Sequence, residues 1–242
     1  MPAMKAIYRF FLTSALLIQV MCGSSNRAEN HTKDVVLLTG EIFTPTVNYS
    51  GNAWYSSGWV NGTVETINGV VYTGQQLRYN MLLDQLFWLS PNANRRVMLD
   101  KNTIKSFMLE MEGEVMHSFR KIYLPDPVTG TLQGIFARIL FDQEQGVTLL
   151  GVYHKRFSSR SERVNRGGRT AHVRILTDNT SYYMQINDED NMISVRPRNR
   201  AFINAFPDNK DTIRQMLRDH NLRVRDEASM IQAIRLINEY YY

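Results

Sequence analysis

A mainly β fold, an antiparallel meander followed by a C-terminal α-helical hairpin, is predicted by three features of this 242-residue chain. Alternating apolar and polar runs recur from residue 59 to residue 195, breaks rich in Gly, Asn, Asp and Pro separate them, and no helical crossover intervenes. Antiparallel pairing follows. After Phe206-Pro207 the apolar period changes from that of a strand to that of a helix. The strands then close as a barrel, a sandwich or a curled sheet, and pattern alone does not choose among the three.

The chain begins with a different kind of segment. Lys5 and Arg9 precede an apolar run from Phe10 to Met21 that ends at Cys22-Gly23-Ser24-Ser25. A basic start, a short apolar core and small residues after it read as an export signal over residues 1–22, whose twelve-residue core is too short for a stable membrane span of roughly 20 residues. Two processing routes stay open. Val20 with Cys22, or Cys22 with Ser24, supplies the small residues that signal peptidase reads, whereas lipidation would use Cys22 itself, with Gln19 and Met21 departing from the usual lipobox. Cys22 is the only cysteine. Neither an intramolecular disulfide nor a thiolate metal site is therefore available.

Residues 23–34 form a polar tether, and 35–206 the β domain. Asn68-Gly69 lies between the alternating runs 59–67 and 70–73, a strong hairpin signal, read here as a type I′ turn with positive φ at both residues. A second turn at Gly74-Gln75 leads into 76–82, and Asp84 precedes 85–89. Further strands are expected over 95–99, 103–110, 114–124, 131–141, 147–157, 170–176, 181–186 and 192–195. Pro125-Asp126-Pro127 and Asp178-Asn179 supply breaks, because such residues favour turns and oppose ladder continuation. Beyond Pro207, Asp208 caps a helix with Ile213, Met216 and Leu217 on its apolar side. Asp226 caps a second, along which Met230, Ile231, Ile234, Ile237 and Tyr241 repeat at helical spacing. Short helices are marginal alone, so residues 207–242 should pack on the sheet.

The run Gly62-Thr63-Val64 to Asn68-Gly69-Val70, with Leu77-Arg78-Tyr79-Asn80 and Asp84-Gln85-Leu86, resembles a motif of uncharacterised exported β-rich proteins of Bacteroidetes-type bacteria. Phe206-Pro207-Asp208 to Asn221-Leu222 and Ile237-Asn238-Glu239-Tyr240 are similar to their helical ends. The resemblance implies a cell-envelope location, in the periplasm or at the outer membrane. It carries no activity and no functional residues.

Charge narrows the function classes. The chain has 28 Lys and Arg against 23 Asp and Glu, and loss of Lys5 and Arg9 with the signal leaves 26 against 23. So slight an excess, without a recognition motif, gives nucleic acid no footing. Lys155, Arg156, Arg160, Arg163, Arg166 and Arg169, interspersed with Ser and Gly, read as a basic hairpin loop. It is either a solvated loop or a contact for an acidic glycan, lipid headgroups or another envelope protein. Trp54, Tyr55 and Trp59, among Gly, Asn and Ser, either plug the core or stack sugars. His154 and His172 count to nearly opposite positions across the hairpin, but without a third ligand they make ordinary strand histidines rather than zinc ligands. Asp188-Glu189-Asp190-Asn191 lacks the glycine and distal glutamate of a calcium loop and reads as a turn.

Glu110, Glu112 and Glu114 would share one side of a strand, where carboxylates blunt edge pairing more readily than they catalyse. No nucleophile elbow, phosphate loop or dinucleotide fingerprint is present, so no catalytic residue and no cofactor is assigned. The sequence expectation is thus a non-catalytic binding or scaffolding module of the envelope. A hydrolase of envelope carbohydrate or lipid is the alternative, with its residues assembled from distant strands.

Overall fold

The computed structural model describes residues 38, 40–42, 50–91, 95–143, 145–163, 170–187 and 191–241, with backbone alone at 160–163 and 170–173. The chain divides into two units, of which Met1–Leu37 lies outside the described residues, and with it the export signal, the tether and Cys22. The second unit, Leu38–Tyr242, holds eleven described strands and three α-helices. In order these are β1 (Gly40–Ile42), β2 (Val60–Thr66), β3 (Val71–Asn80), β4 (Gln85–Ser90), β5 (Arg95–Leu99), β6 (Ile104–Met111), β7 (Val115–Pro125), β8 (Leu132–Phe141), β9 (Val147–Arg163), β10 (Thr170–Ile186) and β11 (Ile193–Val195), then α1 (Asn199–Asn204), α2 (Lys210–Asp219) and α3 (Glu227–Tyr241). All strands belong to one antiparallel sheet in the order β1-β5-β4-β3-β2-β6-β7-β8-β9-β10-β11, which does not close on itself.

Local chemistry corrects several expected turns. Asn68-Gly69 does turn β2 into β3, but only Gly69 has positive φ, at 79°. Gly69 N–H donates to the Thr66 carbonyl and Thr66 N–H to that of Val70, each at 2.9 Å, which is a type I turn closed by a left-handed glycine. The predicted turn at Gly74-Gln75 is a bulge inside β3: the register with β2 shifts between Gly62 and Val64, and Gly74 takes φ 64°. Asp178-Asn179 does not break β10. In its register Asp178 faces Lys155, and the two form an ion pair of 2.5 Å that replaces the turn their polarity predicted. Likewise β9 runs through the expected loop to Arg163. β8 pairs with it only from Leu149 to Gly151, so β9 and β10 continue beyond β8 as a ribbon that Met81 meets at Lys155 and Ser50 at Ile175.

One face of β2 to β8 buries a large apolar cluster built around Tyr79, Phe107, Phe119 and Phe136, all at most 1% exposed. Phe107 and Phe119 stack with centroids 4.6 Å apart, and Phe136 meets Phe107 edge-on at 5.0 Å. The lead-in to β2, residues 50–55, straps this face. Ser50 bridges to Ile175 of β10, while Trp54 bridges to Asn80 of β3.

A second cluster holds the helical end. Ile213, Met216 and Leu217 of α2 and Met230, Ala233, Ile234 and Ile237 of α3 bury with Val147, Leu149, Met184 and Val195 of the sheet. The expected stripes are therefore core, except that Tyr241 is exposed. Asp226 does cap α3, accepting the Ser229 N–H at 2.8 Å. Asp208 does not cap α2: it lies in the turn after Pro207, and Asn209 takes the cap position without a side-chain bond. The short α1, which no periodicity announced, inserts Phe202 and Ile203 into this core.

Asn238 fastens α3 to the sheet. Its Oδ1 accepts from Val147 N–H at 2.7 Å and its Nδ2 donates to the Val147 carbonyl at 2.9 Å, so a buried side-chain amide replaces a neighbouring strand at the start of β9. Asn238→Leu should lower unfolding free energy by about 3 kcal/mol, because both backbone groups lose their partner away from water. A urea midpoint equal to that of the parent would contradict this role.

Candidate functional site

The predicted site residues are dispersed. Trp54 and Tyr55 are consecutive on the strap and project to opposite faces. The Trp54 ring packs edge-on to Phe87 at 5.1 Å under the Arg78 guanidinium, whereas Tyr55 lies among Tyr79, Phe119 and Tyr153. Trp59 is half-buried at the entry to β2. The three do not form one sugar-stacking surface.

Of the six basic residues, Lys155 is engaged by Asp178 and only 14% exposed. Arg156 lies beside the Asn179 amide, Arg160 and Arg163 sit in β9 rather than in a loop, and Arg166 and Arg169 lie outside the described residues. His154 and His172 are not opposite each other. The longer strands pair His154 with Asn179 and His172 with Ser161. Burial holds the His154 imidazole below the usual histidine range. Glu110 belongs to β6, but Glu112 and Glu114 fall in the β6–β7 turn, so the three do not share a strand face. Asp188-Glu189-Asp190 lie outside the described residues, among which no three metal-ligating side chains gather.

Titratable groups do meet where the two apolar clusters adjoin. Glu227, the first residue of α3, accepts from the Tyr153 hydroxyl at 2.6 Å and the Tyr182 hydroxyl at 3.1 Å, and its other oxygen lies 3.8 Å from Arg138. The sheet register sets Arg138, Gly151 and Tyr182 side by side on β8, β9 and β10. Gly151 matters here for its lack of a side chain. A Cβ there would stand 3.0 Å from Tyr153 Cε2 and 3.1 Å from its hydroxyl, so the phenol folds over the glycine to reach Glu227. Next to it Tyr55 and His117 Nδ1 share a hydrogen bond of 2.8 Å.

Burial, reinforced by Glu227, raises the Tyr153 phenol and pushes Tyr182 up to about 12. Burial also raises Tyr55 and lowers His117, the latter assisted by the Arg138 charge. At neutral pH the phenols keep their protons and His117 is uncharged. Both tyrosine protons are directed at one carboxylate oxygen, at the end of a helix whose dipole favours an acidic residue. This cluster ties α3 to the sheet.

An arrangement open to a ligand lies on the helical end. Asn221 adopts φ 50° after α2. Its N–H returns to the Arg218 carbonyl at 2.9 Å and that of Leu222 to Leu217 at 2.8 Å, the double closure of a Schellman motif. Leu222 and Arg223 are thereby folded back beside α2, and Val224 N–H donates to Asn199 Oδ1 of α1 at 3.2 Å. Between α1, α2 and this loop is a cavity of about 730 Å³, with Ile203, Leu217 and Leu222 as its apolar lining. Arg200, Arg214, Arg218 and Arg223 also line it, and among the described residues no carboxylate does.

Arg214 pairs with Asp211, and Arg218 donates to Gln215 Oε1 at 2.6 Å. Arg200 and Arg223 are exposed and, among the described residues, have neither a hydrogen-bond acceptor nor an ion-pair partner. Sequence reading missed this site. The i, i+4 spacing of Arg214 and Arg218 was a usable signal, but only the loop's return brings Arg223 to them. Among the described residues no helix is long and apolar enough to cross a membrane. Compared with known proteins, the chain matches no family model, no curated protein and no solved structure.

Proposed function

We propose that this protein is an exported, non-catalytic binding module of the bacterial cell envelope, in which a curled open sheet carries a helical end that captures an anionic ligand. The supporting observation is the cavity that, among the described residues, has four arginines and no carboxylate, two of those arginines lacking any protein partner there. Arginine forks match carboxylate, sulfate and phosphate oxygens. A hydrolase reading finds its clustered carboxylates already engaged, Glu227 by two tyrosines and Arg138 and Asp84 by Tyr79 and Lys101.

The test uses the processed protein, whose intact mass reports removal of residues 1–22, titrated in low salt with a sulfated oligosaccharide. Arg200→Ser combined with Arg223→Ser should weaken binding about a hundredfold, on about a tenfold loss per charged contact. Replacing Arg160, Arg163, Arg166 and Arg169 by Ser should leave it within about threefold, the effect of long-range charge alone. The reverse pattern would transfer the function to the β9–β10 ribbon and overturn this assignment.

A further inference from the structure

We infer that the ligand of the arginine-lined cavity is the phosphate ester of a sugar, an inference that rests on the anion-capture reading and narrows it. The first argument is the shape of the charge. Arg200 stands on α1 and Arg223 on the loop after α2, on different walls of one cavity. A planar carboxylate is satisfied by a single guanidinium fork, whereas a terminal phosphate presents three oxygens around a tetrahedral centre and can accept from two walls at once. Arg214 and Arg218, each already holding a neighbour on α2, add positive potential behind that grip.

The second argument is what lies beyond the charge. A volume of about 730 Å³ is far more than a free phosphate fills and falls within the range of organic-ligand pockets, roughly 300–1,000 Å³. Its Ile203, Leu217 and Leu222 surface suits the apolar face of a pyranose ring. Asn204 and Asn221, which also line it, offer amides of the kind that meet sugar hydroxyls, and neither side chain has a protein partner among the described residues. Asn199 is not available for this, because it accepts Val224 N–H and holds the loop in place. The site therefore combines a phosphate grip with a ring-sized apolar floor and free amides.

The experiment titrates the full processed chain with glucose 6-phosphate, inorganic phosphate, glucose and glucuronate in the same low-salt buffer. Glucose 6-phosphate should bind at least about tenfold more tightly than each of the other three, a gap of one good contact. Arg200→Ser and Arg223→Ser should each weaken it about tenfold, and Asn204→Ala should weaken glucose 6-phosphate while leaving inorganic phosphate unchanged. All three residues are exposed, and unchanged melting temperatures verify that the variants fold. Vesicles of phosphatidylcholine with phosphatidylinositol 4-phosphate separate two sources of the same chemistry: sedimentation with them, reversed by glucose 6-phosphate, indicates a lipid-borne headgroup, and no sedimentation indicates a free ester.

Glucuronate binding as tightly as glucose 6-phosphate would overturn the phosphate assignment and leave anion capture standing. Inorganic phosphate binding as tightly would overturn the sugar. If none of these anions nor the sulfated oligosaccharide bound, the anion-capture reading would fall as well.

Discussion

Deleting residues 208–242 is expected to abolish the cooperative unfolding transition. The deletion strips α2 and α3 from Val147, Leu149, Met184 and Val195 of the sheet and from Phe202, Ile203 and Phe206 before it. Uncovering a large apolar side chain costs about 2 kcal/mol. Seven of them approach the whole stability of a typical domain, about 5–15 kcal/mol. The same cut removes Glu227 from Tyr153 and Tyr182 and Asn238 from Val147, taking the partners from polar groups of β9 and β10. A truncated protein with a sharp melt near that of the parent would show that the helices only decorate the sheet.

Phe119→Ala is expected to lower unfolding free energy by about 3–5 kcal/mol, the range for removing a buried phenyl ring. Phe119 is 1% exposed and touches Phe107, Tyr79 and Tyr55, with centroids at 4.6, 5.4 and 5.1 Å. Collapse into the space is restricted because its neighbours come from three separate segments, β6, β3 and the strap, each held by its own ladder or bridges. Urea denaturation measures the loss, and near-ultraviolet circular dichroism should report the loosened tyrosines. A loss below about 1 kcal/mol would mean that the cluster repacks as freely as a tolerant core.

The strands were legible because their signal is local. Residues 59–67 alternate and end at Asn68-Gly69, and β2 spans Val60–Thr66. The misjudged elements are those where a distant partner outweighs local preference. Asp178 reads as a break until Lys155 is known to face it, and the serine-rich stretch after Phe157 reads as loop until β10 is laid beside it. Those two errors shortened the hairpin and produced the false opposition of His154 and His172. The arginine cavity was illegible for a related reason. Arg200, Arg218 and Arg223 belong to three segments, and a left-handed Asn221, which any αL-tolerant residue can provide, decides that they meet. The Glu227 cluster is similarly nonlocal, since it needs Gly151 beneath Tyr153 and a helix end that begins at residue 227.

The bridges of the strap have a temporal consequence. Ser50 is synthesised well before the β10 residues whose backbone it binds, Arg174 and Leu176. Until those arrive, one end of the segment has nothing to dock on, and the aromatic face behind it stays open to water or to another chain. Folding of this domain should accordingly finish with the docking of residues 50–55, in a slow step typical of long-range pairing. Holdase chaperones that shield nascent hydrophobic surface would act in that interval.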